Sequence, residues 1–239
     1  MLFSPDEWDA LRLSTKVALS ATAVCLPFGI ALSWLLERTN FAGKFLVDAL
    51  VQLPMVLPPV VPGYLLLLLL GTQGPLGGWL LAQFGIVVAF TWKGAALASA
   101  VMAFPLIMQP IRLAVRMIDA RLEKAATTLG AHPWQVFLTV TLPLAVPGVI
   151  AGSVLCFSRS LGEFGATMAF VGNIPGETRT LPLAIYSLTH EPGGDAAALR
   201  LTLLSIGLAI TALLLSQWIS RRAERVLGHD DHRDQHAEL

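Results

Sequence analysis

The stretch VALSATAVCLPFGIALSWLL, Val17 to Leu36, contains no charged residue. A helix of about 20 apolar residues is long enough to cross the ~30 Å hydrocarbon core of a bilayer. The whole chain shares this character, since 55% of its 239 residues are hydrophobic and 13% are charged. Soluble domains carry about 25% charged residues. The composition therefore predicts an all-α, polytopic membrane protein, and its formal net charge of zero argues against a nucleic-acid partner.

Gaps between charged residues predict five transmembrane helices. Their approximate bounds are 13–36, 49–70, 84–110, 142–171 and 201–220. The second span contains four prolines, and each one removes a backbone hydrogen bond from a helix. This span is either a kinked helix packed in the bundle or a bent element that lines a path. The sequence leaves both interpretations open.

Lysine and arginine in the connections predict the orientation. Basic residues follow the first, third and fifth spans, while the two other connections have little net positive charge. These residues are Arg38, Lys44, Arg112, Arg116, Arg121, Lys124, Arg221, Arg222 and Arg225. We therefore expect the N-terminus outside the cell and the C-terminus in the cytoplasm, with 1–225 as the membrane domain and 226–239 as a polar cytoplasmic tail. The N-terminus has no basic leader, so the first span is predicted to be retained.

The segment 119–133 is predicted to form a short cytoplasmic helix between the third and fourth spans. Asp119 is a suitable N-cap and Gly130 a suitable stop. One face of this helix combines leucines with small alanines, at Leu122, Ala125, Ala126 and Leu129. It could lie on the membrane surface or dock into a groove of another protein. The spacing alone does not separate these alternatives.

EKAATTLG followed by VTLP resembles the signature of binding-protein-dependent importer permeases. The matching positions are Glu123, Ala125, Ala126, Gly130, Val140, Leu142 and Pro143. Lys124 is a departure, because the usual pattern has alanine directly after the glutamate. The run from Gly162 to Pro182, GEFGAT…GNIPGETRTLP, is similar to the molybdate-transporting permeases, which are close to the sulfate and tungstate permeases.

The resemblance implies a larger assembly in the bacterial inner membrane. Two copies of the chain would form a pore, a periplasmic binding protein would deliver the oxyanion, and two ATPase subunits would bind ATP and Mg²⁺. The sequence itself has no G-x-x-x-x-G-K-[ST] motif, so we expect neither enzyme activity nor a cofactor or metal in this chain. The residues implied in ATPase coupling are Glu123, Lys124, Ala125, Ala126, Leu129, Gly130, Ala131 and His132.

The stretch SRSLGEFGAT, Ser158 to Thr167, places two charges inside the fourth span. Arg159 and Glu163 are four residues apart and can pair on one helix face. The pair either fixes helix register or lets Arg159 contact substrate. Hydroxyl groups suit a conduit better than tight charge pairing does, because the anion must also leave. The candidate pore or gate residues are therefore Ser158, Arg159, Ser160, Glu163 and Thr167, predicted near the outer end of the span.

Other interpretations carry less weight. Glu177 and Arg179 are candidate docking contacts for the binding protein, although charges in a loop are more often simply solvated. A membrane-embedded hydrolase could use Ser158 or Ser160 with His190, but no serine motif surrounds them. A passive channel would have no use for the predicted coupling segment. Cys25 and Cys156 are expected to behave as small buried apolar residues.

Overall fold

The computed structural model describes residues 4–228, without the side chains of residues 216, 217 and 219–228. Along this part of the chain every regular element is a helix, which confirms the predicted all-α class. The helices are α1 (Pro5–Arg38), α2 (Lys44–Val56), α3 (Val60–Leu70), α4 (Pro75–Phe84), α5 (Trp92–Met117), α6 (Ala120–Thr128), α7 (Pro133–Val136), α8 (Leu142–Leu161), α9 (Gly165–Val171), α10 (Leu181–Thr189) and α11 (Asp195–Gly228). A π-helical turn, Phe137–Thr141, joins α7 to α8, so that Pro133–Leu161 runs on as one long helix.

Four described helices are long and apolar enough to cross a membrane: α1, α5, Pro133–Leu161 and Asp195–Leu215 within α11. The predicted second span corresponds to α2 and α3, which meet at an angle of 114°. The count is five if this bent pair forms one span. Pro58 and Pro59 lie at the break, where they prevent continuous helical hydrogen bonding. An angle of this size favours the interpretation of the second span as a bent element over that of a kinked helix.

Helices α1, α5 and α8 pack through small residues. Ser33 of α1 donates a hydrogen bond to the carbonyl of Met108 in α5 at 3.4 Å. Gly152 of α8 faces Ile107 of α5, and an ideal Cβ at Gly152 would lie 2.5 Å from the Ile107 carbonyl oxygen. Without a hydrophobic driving force inside lipid, such close backbone approach is what holds transmembrane helices together.

Helix α1 begins well before the predicted first span. Ser4 Oγ accepts a hydrogen bond from the Glu7 N–H at 3.3 Å, and the Glu7 carboxylate accepts one from the Ser4 N–H at 2.7 Å. This capping box fixes the start of the helix at Pro5. Its 34 residues extend about 51 Å, so that α1 exceeds the ~30 Å hydrocarbon core.

The structure corrects the predicted start of the third span at about residue 84. Helix α4 occupies most of the region taken as a loop and ends at Phe84, where it is followed by Gly85 with a φ of +65°. Helix α5 begins only at Trp92, after Thr91 accepts a hydrogen bond from the Gly94 N–H at 3.3 Å. The region between these helices carries no charge, so a search for charge-free runs could not detect the break.

The last two predicted spans also differ from the helices observed. The fourth, 142–171, is broken at Gly162–Phe164, which separates α8 from α9. The fifth, 201–220, lies within the longer helix α11 (Asp195–Gly228). This helix reaches three residues into the predicted tail, 226–239, and the remainder of that tail lies outside the described residues.

We expect Gly148→Ala to destabilise the bundle. An added Cβ at this position in α8 would lie 2.5 Å from Ala114 Cβ and 2.6 Å from the Pro110 carbonyl oxygen of α5. The two helices would have to separate, which should lower the melting temperature by about 2–10 °C. The measurement is thermal unfolding of the detergent-solubilised protein, followed by tryptophan fluorescence.

Gly207→Ala is the matched control for this change. A Cβ at Gly207 in α11 would meet no described atom within 4 Å. Alanine also has the higher helix propensity, so the melting temperature should stay the same or rise slightly. A Gly148→Ala protein as stable as the original would contradict the close packing of α5 against α8.

Candidate functional site

The breaks in the second and fourth spans lie against each other. A Cβ at Gly165, the first residue of α9, would lie 2.8 Å from Pro59 Cβ at the start of α3. One turn further on, a Cβ at Gly63 would lie 2.5 Å from the Ala166 carbonyl oxygen. We call this contact between Leu57–Pro59 and Gly162–Phe164, with the adjoining turns of α3 and α9, the junction.

Arg159 and Glu163 form the predicted pair at this junction. Arg159 Nη1 lies 2.5 Å from Glu163 Oε2, in an ion-pair contact that lacks hydrogen-bond geometry. The other carboxylate oxygen, Oε1, accepts a hydrogen bond from the Ala166 N–H in the first turn of α9 at 2.9 Å. Glu163 is 1% exposed, whereas the Arg159 side chain is 30% exposed. The carboxylate thus joins the end of α8 to the start of α9, while the Arg159 side chain remains partly exposed.

The three predicted hydroxyl residues have different surroundings. Thr167 is buried and its hydroxyl donates to the Phe164 carbonyl at 2.9 Å, within its own turn. Ser160 is also buried, and its Oγ has no hydrogen-bond partner among the described residues. Ser158 is exposed. Ser160 is therefore the buried hydroxyl that is available for another contact.

Ser99 of α5 was missed by the sequence-based prediction. Its Oγ is buried and lacks a partner among the described residues, like that of Ser160. Gly152 of α8 faces Ile107 of α5, and the two helices are antiparallel. Ser160 follows Gly152 by eight residues and Ser99 precedes Ile107 by eight, so this register brings the two serines to the same level. A serine within the alanine-rich run GAALASAVMA was the available signal.

A second polar cluster lies at the end of the bundle where α1 and α5 stop and α8 begins, which we call the basic end. Glu37 accepts hydrogen bonds from Arg112 at 2.8 Å and from Arg116 at 3.1 Å. Arg112 also pairs with Asp48 of α2. These contacts bind α1, α2 and α5 together, and the acidic partners were not among the predicted site residues.

Glu123 of α6 is turned toward the protein at the basic end. Its carboxylate lies 2.9 Å from Arg38 Nε and accepts a hydrogen bond from Thr141 Oγ1 at 2.6 Å. Arg38 donates in addition to the Val115 carbonyl at 2.9 Å. The signature glutamate therefore ties α6 to α1, to the end of α5 and to the start of α8. Arg38 and Thr141 were not predicted, because each is distant from Glu123 in sequence.

The rest of α6 faces away from the bundle. Asp119 caps its start by accepting from the Arg121 N–H at 2.9 Å, and Gly130, with a φ of +90°, follows its end. No residue of α6 is buried, and Leu129 is 89% exposed. Leu122 and Trp134 are also exposed large apolar side chains here. The predicted cap and stop are thus confirmed, and Pro133 at the end of the predicted segment begins the next helix, α7.

The remaining predicted coupling residues lie on or next to the exposed face of α6. Lys124 and Ala125 are exposed, and Ala126 and Ala131 are half-buried. His132 is exposed but also serves locally, because its Nδ1 accepts from the Trp134 N–H at 3.4 Å as part of a capping box for α7.

Glu177 and Arg179 lie in the loop between α9 and α10, and each forms a hydrogen bond. Glu177 Oε1 accepts from the Trp92 N–H at the start of α5 at 3.3 Å. Arg179 Nε donates to the Asn173 side chain at 3.0 Å. Both side chains are partly exposed, so these contacts shape the loop while leaving part of each side chain accessible.

His190, the histidine considered for hydrolysis, and the two cysteines have surroundings of their own. His190 Nδ1 lies 2.7 Å from the Tyr186 carbonyl oxygen, at the end of its own helix. Cys25 and Cys156 are both buried free thiols. Among the side chains that the structure describes, no three of His, Cys, Asp or Glu come together in a way that could hold a metal ion.

Comparisons with known proteins give one consistent result. Residues 26–225 match the family described as binding-protein-dependent transport system inner membrane component. The molybdenum transport system permease protein ModB of Escherichia coli strain K12 is 55% identical over 228 residues, which cover 95% of this chain and 100% of that protein. The sulfate transport system permease protein CysW of the same strain is 37% identical, over 98% of this chain and 80% of its own length.

Solved structures resemble the fold. A bacterial alginate ABC transporter, crystallised in complex with an alginate pentasaccharide-bound periplasmic protein, superposes with a TM-score of 0.73. The match covers 92% of this chain and 80% of the other at 19% sequence identity, and so it speaks for the fold alone. The family follows from the sequence match over 200 residues, from 26 to 225. The chain belongs to the family of inner membrane components of binding-protein-dependent transport systems.

Proposed function

We propose that two copies of this chain form the pathway by which an ATP-driven importer carries molybdate across the bacterial inner membrane. The observation that carries the proposal is the 55% identity to a molybdenum transport permease over that protein's whole length. The 37% identity to a sulfate permease makes sulfate, with the similarly shaped tungstate, the alternative substrate. A periplasmic binding protein would deliver the anion, and two ATPase subunits would bind ATP and Mg²⁺.

The substrate is tested with the complete transporter reconstituted in lipid nanodiscs. Its binding protein is loaded in turn with molybdate, tungstate or sulfate, and ATP hydrolysis is measured. We expect molybdate to stimulate hydrolysis more than sulfate does. Equal or greater stimulation by sulfate would overturn the assignment to molybdate while leaving the importer mechanism intact.

The charge distribution supports an orientation with the basic end in the cytoplasm. Arg38, Lys44, Arg112 and Arg116 all lie near this end, and α6 carries Arg121 and Lys124 beside it. Basic residues accumulate in cytoplasmic connections. Because α1 runs toward the basic end, this orientation puts its N-terminus outside, and α11 then runs into the cytoplasm.

The exposed face of α6 is suited to receive an ATPase subunit. Leu122, Ala125 and Leu129 combine apolar character with small size, and the helix buries none of its residues against the bundle. Glu123 holds the same helix to α1 and α8. Motion of a bound ATPase subunit would therefore pass into the membrane domain through a helix that is fixed on one side and free on the other.

We predict that Leu129→Glu weakens binding of the ATPase subunits at least about tenfold, because it would place an unpaired charge in an apolar contact. Insertion of the chain in the membrane should be unchanged. Co-purification of the ATPase subunits and ATP-driven molybdate uptake measure the two effects.

Thr127→Glu is the matched control. Thr127 is exposed in the last turn of α6 and points about 160° away from Leu129 around the helix axis. The same charge at this position should leave most of the ATPase binding intact. Equal losses in both variants would contradict the assignment of the docking face, and full binding by Leu129→Glu would contradict the docking site itself.

The junction is suited to act as the outer gate of the path. Under the proposed orientation, Glu163 and Arg159 lie at the outer end of α8, about 30 Å from its cytoplasmic start. Discontinuous helices commonly surround the substrate path of transporters. The ion pair would hold α8 and α9 in the closed arrangement, and Ser160 would supply a hydroxyl, with Ser158 and Thr167 beside it.

We predict that Arg159→Gln and Glu163→Gln each raise ATP hydrolysis in the absence of the binding protein by about fivefold, as expected if loss of the pair loosens the closed state by ~1 kcal/mol. The double variant should show no further increase, because both changes remove the same contact. Basal ATPase assays in nanodiscs measure all three. If Arg159→Gln alone abolished uptake while Glu163→Gln behaved normally, Arg159 would be a substrate contact instead of a gate residue.

The loop between α9 and α10 is proposed to meet the binding protein. It lies at the outer end of the bundle in the proposed orientation, next to the start of α5 through the contact of Glu177 with Trp92. Glu177 and Arg179 remain partly exposed there and carry opposite charges. Such rim charges would steer the approach of a partner more than they would hold it.

A further inference from the structure

An open apolar groove runs between α1, α2 and α5. Its volume is about 690 Å³, and its walls include Val24 and Leu35 of α1, Val47 and Val51 of α2 and Phe104 of α5. This volume is within the range of sites that bind a small molecule. The groove is separate from the junction and from the exposed face of α6.

The walls of the groove exclude an oxyanion as its ligand. All the lining side chains are apolar apart from the Cys25 thiol, so the groove offers a dianion no charge and no strong hydrogen-bond donor. Val24 and Leu35 are eleven residues apart on α1, which corresponds to a length of about 16 Å. This is about half of the ~30 Å hydrocarbon core, the depth of one leaflet. An acyl chain has the matching shape and chemistry.

The end of the groove near Val47 carries an uncompensated positive charge. Lys44 lies one turn before Val47 on α2, and its ammonium donates to the Thr39 carbonyl at 3.3 Å. Among the described residues Lys44 forms no ion pair, whereas the nearby Arg38 and Arg112 are each paired with a carboxylate.

The first turn of α2 adds to this positive field. No side chain caps the helix start, so the N–H groups of its first turn have no side-chain acceptor. A helix N-terminus favours a negative group such as a phosphate. An ammonium beside this helix start, at the mouth of an apolar groove, matches a lipid with an anionic headgroup.

We propose that the groove binds an acyl chain of an anionic phospholipid, whose phosphate lies at Lys44 and the first turn of α2. The lipid fills the space between α2 and the α1–α5 pair and so supports a helix that buries none of its own residues. This site requires only that the protein is embedded in a membrane, and it is independent of which anion is transported.

Photo-crosslinking in the assembled transporter identifies the occupant directly. Benzoylphenylalanine replaces Phe28 or Phe104, two aromatic residues of the groove wall, in nanodiscs of phosphatidylglycerol and phosphatidylethanolamine. The crosslinked partner is identified by mass spectrometry. We expect phosphatidylglycerol to be captured about fivefold above its share of the bilayer. The same label at Leu203, an exposed position on α11, should capture the two lipids in proportion to that share.

Lys44→Gln should abolish the enrichment, since it removes the charge at the mouth of the groove. Lys93→Gln, which removes an exposed charge from the start of α5, should leave the enrichment unchanged. The proposal is overturned if the groove label crosslinks to a second copy of the chain, if it captures the two lipids at the bilayer ratio, or if the enrichment survives Lys44→Gln.

Discussion

Backbone groups released by a break in a helix have no water to bind inside hydrocarbon, so protein must satisfy or shield them. This chain breaks two of its spans, α2–α3 and α8–α9, and packs one break against the other. Gly63 and Gly165 allow the backbones to meet, and Glu163 accepts a hydrogen bond from the first turn of α9. The two breaks are therefore mutually dependent: either one, moved away from the other, would expose polar backbone to lipid.

The same arrangement explains how the two ends of the bundle can communicate. Helix Pro133–Leu161 contacts Glu123 through Thr141 at the basic end and stops directly before the junction. It packs closely on α5 through Gly148 and Gly152, which leaves little room for it to bend independently. A displacement of α6 would be passed to this helix through the contact of Glu123 with Thr141. In the proposed importer, the helix connects ATP hydrolysis to the outer gate without any intermediate domain.

Local sequence features predicted the helical class and the short segment after the third span, because charge-free runs, Asp119 and Gly130 act through their immediate neighbours. The break before Trp92 was missed, since no charge marks it and only Gly85 and Thr91 could have indicated it. The inward orientation of Glu123 depends on Arg38, which is 85 residues away. Likewise, Ser99 can be recognised as a second buried hydroxyl at the level of Ser160 only once the register of α5 against α8 is known.

The Arg159–Glu163 pair also bears on how a dianion could pass the proposed gate. Glu163 is almost fully buried while Arg159 is partly exposed, so a passing anion would meet the guanidinium before the carboxylate. Because the guanidinium is already paired, its attraction for the anion is moderated, and a conduit must release what it admits. The buried carboxylate is in turn held by the α9 backbone, so it cannot follow the anion. A guanidinium and hydroxyl groups can make the same kinds of contact with either tetrahedral dianion, so in this scheme we expect selectivity to belong to the protein that delivers the anion.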